Sequence, residues 1–349
     1  MAVINVMPLT DLTELIASDN VNAGDVLLLE EGIYFQTVIV RKDNIRIIAK
    51  GPGVIFDGRS TLITGFILSN VTGVVIDGIH IKHYRANGIE IDGGSGNRII
   101  NNNINNTMNV GILISNSVGN LIWKNEVCRC SDGIMLALEG SSNNWMIENT
   151  VKECLDDGFD AISATENNNA FISNKAVRNR FSGFDVLGNN NLLLNNLAID
   201  NNLGMTISAG SSTVAIGNKI EGSRSDALTI SFTSSEHFVG ENHVTCNRQA
   251  GIFDQGLNGM SLNNEVSYNG NSGFFLASNG ALIMGNRLVC NIPENITDLG
   301  TGNIFINNAG KPCEPCEAPG VVCGDCPDGA DKGSNHPKAG ERNGQEREN

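Results

Sequence analysis

The sequence predicts an all-β fold, a right-handed parallel β-helix solenoid of about ten or more coils with an N-terminal capping helix and a flexible C-terminal tail. Three observations predict it. A small residue opens an apolar segment at Gly88, Gly111, Gly133, Gly158, Gly183, Gly204, Ala227, Gly251 and Gly273, eight steps over 185 residues, or about 23 per coil. Asparagines keep the same period through Asn102, Asn125, Asn149, Asn174, Asn196, Asn218, Asn242, Asn264, Asn286 and Asn308, in steps of 22 to 25 residues. Between these markers the apolar positions alternate with period two over three to five residues, which is a strand pattern and too short for helix.

The elements follow in order. Residues 1–33 are expected to form an N-terminal cap: TDLTELIASDN reads as a short amphipathic helix capped by Thr10 or Asp11, followed by a Gly24-Asp25 turn into a strand at Val26–Leu29. Residues 34–308 supply the coils, each with three short strands around one apolar core. The inward column is predicted to be Ile89, Ile112, Ile134, Phe159, Phe184, Met205, Leu228, Ile252 and Phe274. An inward Asn at each bend can bond the backbone groups that a corner leaves unpaired. A further ladder is expected at Asn202, Asn247, Asn269 and Asn291, with Cys130, Cys154 and then Arg180 interrupting it. Residues 309–349 hold five of the eight prolines and few large apolar side chains, so they read as a flexible cysteine-bearing tail.

Composition narrows the function. The chain has 349 residues, 40% of them hydrophobic, and a net charge of −15, which disfavours a phosphate-tracking surface and so excludes nucleic acid as the expected partner. No apolar run is long enough to insert in a membrane, and the opening residues lack the basic start and apolar run of a secretory signal. The expected location is therefore the cytoplasm, or release without that export route. Aromatic residues make up only 5%, which argues against a long sugar-stacking cleft.

The Ala23-Gly24-Asp25 opening with Gly32 and Tyr34, followed by the repeating Gly, Asn and aliphatic pattern to about residue 308, resembles the pectin-lyase-like superfamily of right-handed parallel β-helix proteins. The resemblance implies a polysaccharide-acting protein of hydrolase, uronate lyase or epimerase type, or a structural or binding solenoid of a surface, spore or virion assembly. No subfamily signature is complete. Asp156-Asp157 is similar to the paired aspartates of polygalacturonases, but the companion motifs are missing. Gly158-Phe159-Asp160 and Gly183-Phe184-Asp185 echo the start of a mannuronan epimerase motif without its Pro-His.

Strand parity turns the second residue after each small residue outward, giving the column Glu90, Leu113, Met135, Asp160, Asp185, Thr206, Thr229, Phe253 and Phe275. Asp160 and Asp185 fall on adjacent coils about 4.8 Å apart, and like charges stacked this way repel. A bound cation, an arginine or a retained proton must offset that repulsion. Asp160, Asp185, Asp157 and Arg180 are therefore the candidate catalytic residues. Asp132, Glu139, Asp156 and Arg178 are candidates for binding substrate, a glycan, and calcium is the ion expected on this acidic face. Each carries a structural reading too. Asp132, Asp157 and Asp226 stand where Asp favours an Asx-type turn, and Arg180 can simply bond Asp157 or turn carbonyls. The five histidines have no metal spacing and read as surface or turn residues.

Of the nine cysteines, Cys128, Cys130, Cys154, Cys246 and Cys290 read as buried free thiols. In the tail, Cys313, Cys316, Cys323 and Cys326 form C-x2-C-x6-C-x2-C, which suits a zinc site, disulfide cross-linking of a homo-oligomeric assembly, or unpaired thiols.

Overall fold

The computed structural model describes residues 1–138 and 140–313; Glu139, Cys316, Cys323 and Cys326 lie outside them. The chain winds as a parallel β-solenoid with three sheets, which we number in the order the chain visits them. Sheet 1 has fourteen strands, from Val3–Val6 to Ile304–Ile306, and sheet 2 has thirteen, from Gly32–Tyr34 to Ala309–Lys311. Sheet 3 has twelve, from Val38–Val40 to Ile296–Asp298. The stacking reaches past both expected boundaries, since the first strand lies within residues 1–33 and the last beyond 308. The short helix Leu12–Ala17 is present, with Asp11 as its cap accepting from Glu14 N at 3.0 Å, and it buries Leu12 and Ile16 against the first coils.

The predicted inward column is correct at every position. Ile89 pairs with Ile112, then Ile134, Phe159, Phe184, Met205, Leu228, Ile252 and Phe274 in turn, all essentially inaccessible to solvent. Stacking like on like lets aromatic rings share one column, so Phe159 and Phe184 lie parallel with centroids 4.7 Å apart. Removing such side chains from water is the main term that holds the coils together.

Polar corners are satisfied by asparagine. Asn125 Oδ1 accepts from Asn102 N at 3.0 Å while its Nδ2 donates to Ile99 O at 2.8 Å, and the same bonds recur coil after coil to Asn308. The residue before each ladder Asn is left-handed, for example Asn101 at φ 56° and Gly217 at φ 66°, which turns the chain between sheets 1 and 2 within one residue. The other expected ladder holds at Asn247, Asn269 and Asn291 but is displaced by one residue at two earlier places. Asn179, not Arg180, follows Cys154, and Asn201, not Asn202, comes next, as the bonds Cys154 N to Asn179 Oδ1 (3.0 Å) and Asn179 N to Asn201 Oδ1 (2.9 Å) show. The side chain that can cap a corner amide takes the inward site, and Arg180 falls just outside it, exposed.

Three further expectations are corrected or refined. His237 is not a surface residue: it is buried, with Nε2 3.2 Å from the equally buried Asp254 Oδ2. It takes an inward corner place that asparagine holds in earlier coils, and Asp254 takes a place in an otherwise mostly aliphatic column. Cys290 is not a free thiol but is joined to Cys313 by a disulfide between neighbouring coils, with Cα atoms 4.2 Å apart. Cys128, Cys130 and Cys154 are buried free thiols as expected, and burial pushes all three up in pKa.

Candidate functional site

The candidate site lies on the outer face of sheet 3, on the strands Asp132–Ala137, Phe159–Ala161 and Ser182–Leu187. The chain turns that leave sheet 3 on the first two of these coils, residues 138–144 and 162–169, are longer than those at 116–120 and 188–191 on either side. The predicted outward column is in register: Met135 pairs with Asp160, and Asp160 with Asp185.

Outward does not mean exposed. Asp132, Asp157 and Asp160 are each only 7% accessible, and one carboxylate oxygen from each lies within 4.8 Å of the others. Two of them are tied to the coil above. Asp132 Oδ1 accepts from Asp157 N at 3.2 Å, and Asp157 Oδ1 accepts from Ser182 N at 2.5 Å. Asp226 repeats this with Ala250 N at 2.9 Å. These aspartates therefore bridge successive coils rather than closing local Asx turns, because the next strand presents its amide where a local turn amide would otherwise stand. Asp160 receives no hydrogen bond from any described residue, and Asp185 Oδ1 is buried without a partner.

Burial sets the protonation of the group. Desolvation, followed by the charges of Asp157, Asp185, Asp132 and Asp156, pushes Asp160 up to about 9. Asp157 rises to about 7 through burial, against the opposing hydrogen bond from Ser182. Asp185 rises to about 6 through burial and then the charge of Asp156, and burial raises Asp132 as well. At neutral pH Asp160 therefore keeps its proton beside neighbours that titrate lower. Carboxyl groups held at different pKa values within one cluster can divide acid and base roles.

The structure brings together Asp132, Asp157, Asp160 and Asp185, with Asp156 exposed at the margin but close enough to act on all four through its charge. It does not bring the arginines. Arg178 is exposed and pairs with Glu153 at 2.7 Å. Arg180 is exposed and makes no ion pair or side-chain hydrogen bond among the described residues, so the predicted bond to Asp157 is replaced by the Ser182 amide. Of the four tail cysteines, Cys313 is bound to Cys290, and the other three lie outside the described residues. Sequence parity found the outward aspartates but not their burial. The one available hint was the longer spacing of the two coils, 25 residues from Gly133 to Gly158 and from Gly158 to Gly183.

A three-sheet parallel solenoid with a buried carboxylate cluster on one outer face defines the class. The Right handed beta helix region family matches residues 47–160 and 155–292, and the chain belongs to it. Its fold is accordingly a right-handed parallel β-helix. Among solved structures it is similar to the Dettilon tailspike protein, with a TM-score of 0.64 at 15% identity, covering 86% of this chain and 68% of that one. It is also similar to the Azotobacter vinelandii mannuronan C-5 epimerase AlgE6 A-module, at 0.59 and 13%, covering 86% and 90%. A mannuronic acid specific polysaccharide family 6 lyase from human gut microbiota superposes at 0.61 and 11%, covering 89% and 92%. No curated protein matches. Among the described residues no helix is long and apolar enough to cross a membrane.

Proposed function

We propose that the protein acts on a polysaccharide by acid–base cleavage of a glycosidic bond at the Asp132, Asp157, Asp160 and Asp185 cluster, with Asp160 as proton donor. The observation that carries this reading is the convergence of three buried carboxylates within 4.8 Å, one of which keeps its proton at neutral pH. A protonated carboxyl beside ionised ones is the arrangement that glycoside hydrolysis uses. Asp185, on the next strand, is the candidate base or nucleophile. With no cationic side chain among the described residues paired to the cluster and a net charge of −15, a neutral glycan fits this face better than a polyanion. The lyase and epimerase neighbours support polysaccharide as the partner class and no more.

A second reading rests on the same convergence. Asp132, Asp157 and Asp160 offer three hard oxygen donors, a set that suits Ca²⁺, and a bound cation would reverse the carboxyl pKa shifts and let the face accept a uronate chain. The test is a screen of the full chain on neutral and uronate-containing polysaccharides, with chelator or with millimolar Ca²⁺. New reducing ends from a neutral glycan in chelator, lost in Asp160→Asn, support hydrolysis. Ultraviolet-absorbing unsaturated ends formed only with Ca²⁺ move the reading to a uronate lyase. No product under either condition leaves the protein a binding or structural solenoid.

A further inference from the structure

Among the described residues, nothing covers the outer face of sheet 1, which is an apolar wall. From the strand Leu121–Trp123 to the strand Ile304–Ile306, eight pairings join nine strands, and each strand points its first and third residues outward. Every one of these positions is apolar apart from Gly240; Trp145, Leu192 and Phe238 stand in one column, and Trp123, Leu194 and Ile216 in the other. No charged residue occurs in either column over these nine coils, whereas the same columns nearer the N-terminus carry Arg46, Asp77 and Arg98. Sheet 2 gives the contrast within the same coils, since its outward positions include Glu126, Lys152, Lys175, Lys219, Glu221 and Glu265. Most of the wall side chains are partly exposed, up to 56% at Ile304 and 49% at Trp145, while Ala170 is buried.

We infer that this wall is a homodimer interface, on which a second copy of the chain packs sheet 1 against sheet 1. At ~4.8 Å per strand the wall is about 40 Å tall, a length that an interface of standard size, roughly 800 Å² on each partner, can span. Monomeric proteins seldom leave so large a continuous apolar patch uncovered. Charge selects the occupant. Two chains of net charge −15 repel over most of their surface, and this wall is where they can meet without opposing like charges. An isologous contact needs only that the patch suit itself, which a flat uncharged sheet face does. The inference is independent of the acidic cluster, which sits on sheet 3.

Sedimentation of the full chain under reducing conditions, which removes tail cross-links, tests it. We expect twice the mass of one chain at about 20 µM, a concentration that holds a micromolar or tighter dimer. The double variant Leu194→Glu with Ile216→Glu should sediment as one chain while keeping the β spectrum, and Lys219→Glu on sheet 2 should stay dimeric. If the double variant does not fold, Leu194→Thr with Ile216→Thr keeps β-compatible shapes and should weaken the dimer at least tenfold. A wild type that is monomeric at 20 µM overturns the proposal. So does a dimer indifferent to both pairs of substitutions, or a monomer that floats with phosphatidylcholine vesicles through this face.

Discussion

Among the stacks of polar side chains that climb this solenoid, two are built to opposite rules. The asparagine ladder runs up the corner between sheets 1 and 2 with its hydrogen bonds closed. Asn174, for example, accepts from Asn149 N at 2.9 Å and donates to Met146 O at 2.8 Å. In the aspartate stack on sheet 3, Asp160 is buried and Asp185 half-buried, yet Asp160 has no hydrogen-bond partner among the described residues and Asp185 is left with an orphan oxygen. Burial without partners costs free energy. A repeat that can place a satisfied amide at every corner has no structural need for unsatisfied acids on a strand. On the proposed function, the difference separates polar groups kept for the fold from acids kept for a site.

The largest effect that bears on this contrast is apolar, and it sets the scale. Phe184→Ala removes a ring stacked on Phe159 at 4.7 Å and set edge-on to Phe171 at 6.5 Å, directly beneath the aspartates. A loss of about 3–5 kcal/mol is expected in denaturant unfolding. A loss below about 1 kcal/mol would show that the coils beneath the site are loosely packed.

Next comes the ladder. Asn174→Ala removes an acceptor for the Asn149 amide and a donor for the Met146 carbonyl, leaving both buried, so about 2–3 kcal/mol should be lost. Asn174→Asp keeps the acceptor but removes the donor and adds a buried charge, and is expected to cost no less. If Asn174→Ala is neutral by thermal melt, the ladder is decoration and the contrast between the two stacks fails.

How much of this was legible in the sequence depends on whether the local pattern or the neighbouring coil decides. The Phe159 and Phe184 column follows from period-two alternation within one coil, and the repeat then copies it, so the whole core could be read. The Asn102 to Asn308 ladder was equally clear because one residue type recurs at one spacing. Asn179 and Arg180 were exchanged because both lie near the corner and only the hydrogen bond to Cys154 N distinguishes them. Asp160 was read as outward, which its register with Asp185 confirms, but its burial depends on contacts between coils that parity does not carry. The His237–Asp254 pair was invisible for a related reason. Seventeen residues separate the two, and a shared interior position joins them.

The last and smallest effect would sharpen the contrast without removing any packing. Asp160, Asp157 and Asp185 have folded pKa values raised to about 9, about 7 and about 6, whereas an unfolded aspartate titrates near 3.9. Between those limits the native state holds protons that the unfolded state has released, so stability is full below about pH 4 for these groups. It declines as pH rises through the folded values, on the order of 1 kcal/mol per pH unit while a group is in that window. Burial raises Asp132, Glu166, Asp200 and Asp226 as well, so the share of the decline that belongs to Asp160 is read from its variant. Asp160→Asn takes away the highest of the three titrations and one source of repulsion. It should flatten the curve above about pH 5 and raise stability at pH 8 more than at pH 5. Millimolar Ca²⁺ should give the wild type a comparable gain at pH 8 only if the cluster holds the cation. Thermal melts at pH 5, 7 and 8.5 of wild type and variant distinguish these outcomes. Parallel curves for the two proteins would mean that Asp160 is an ordinary solvated carboxylate, and the aspartate stack would lose its claim to be a site.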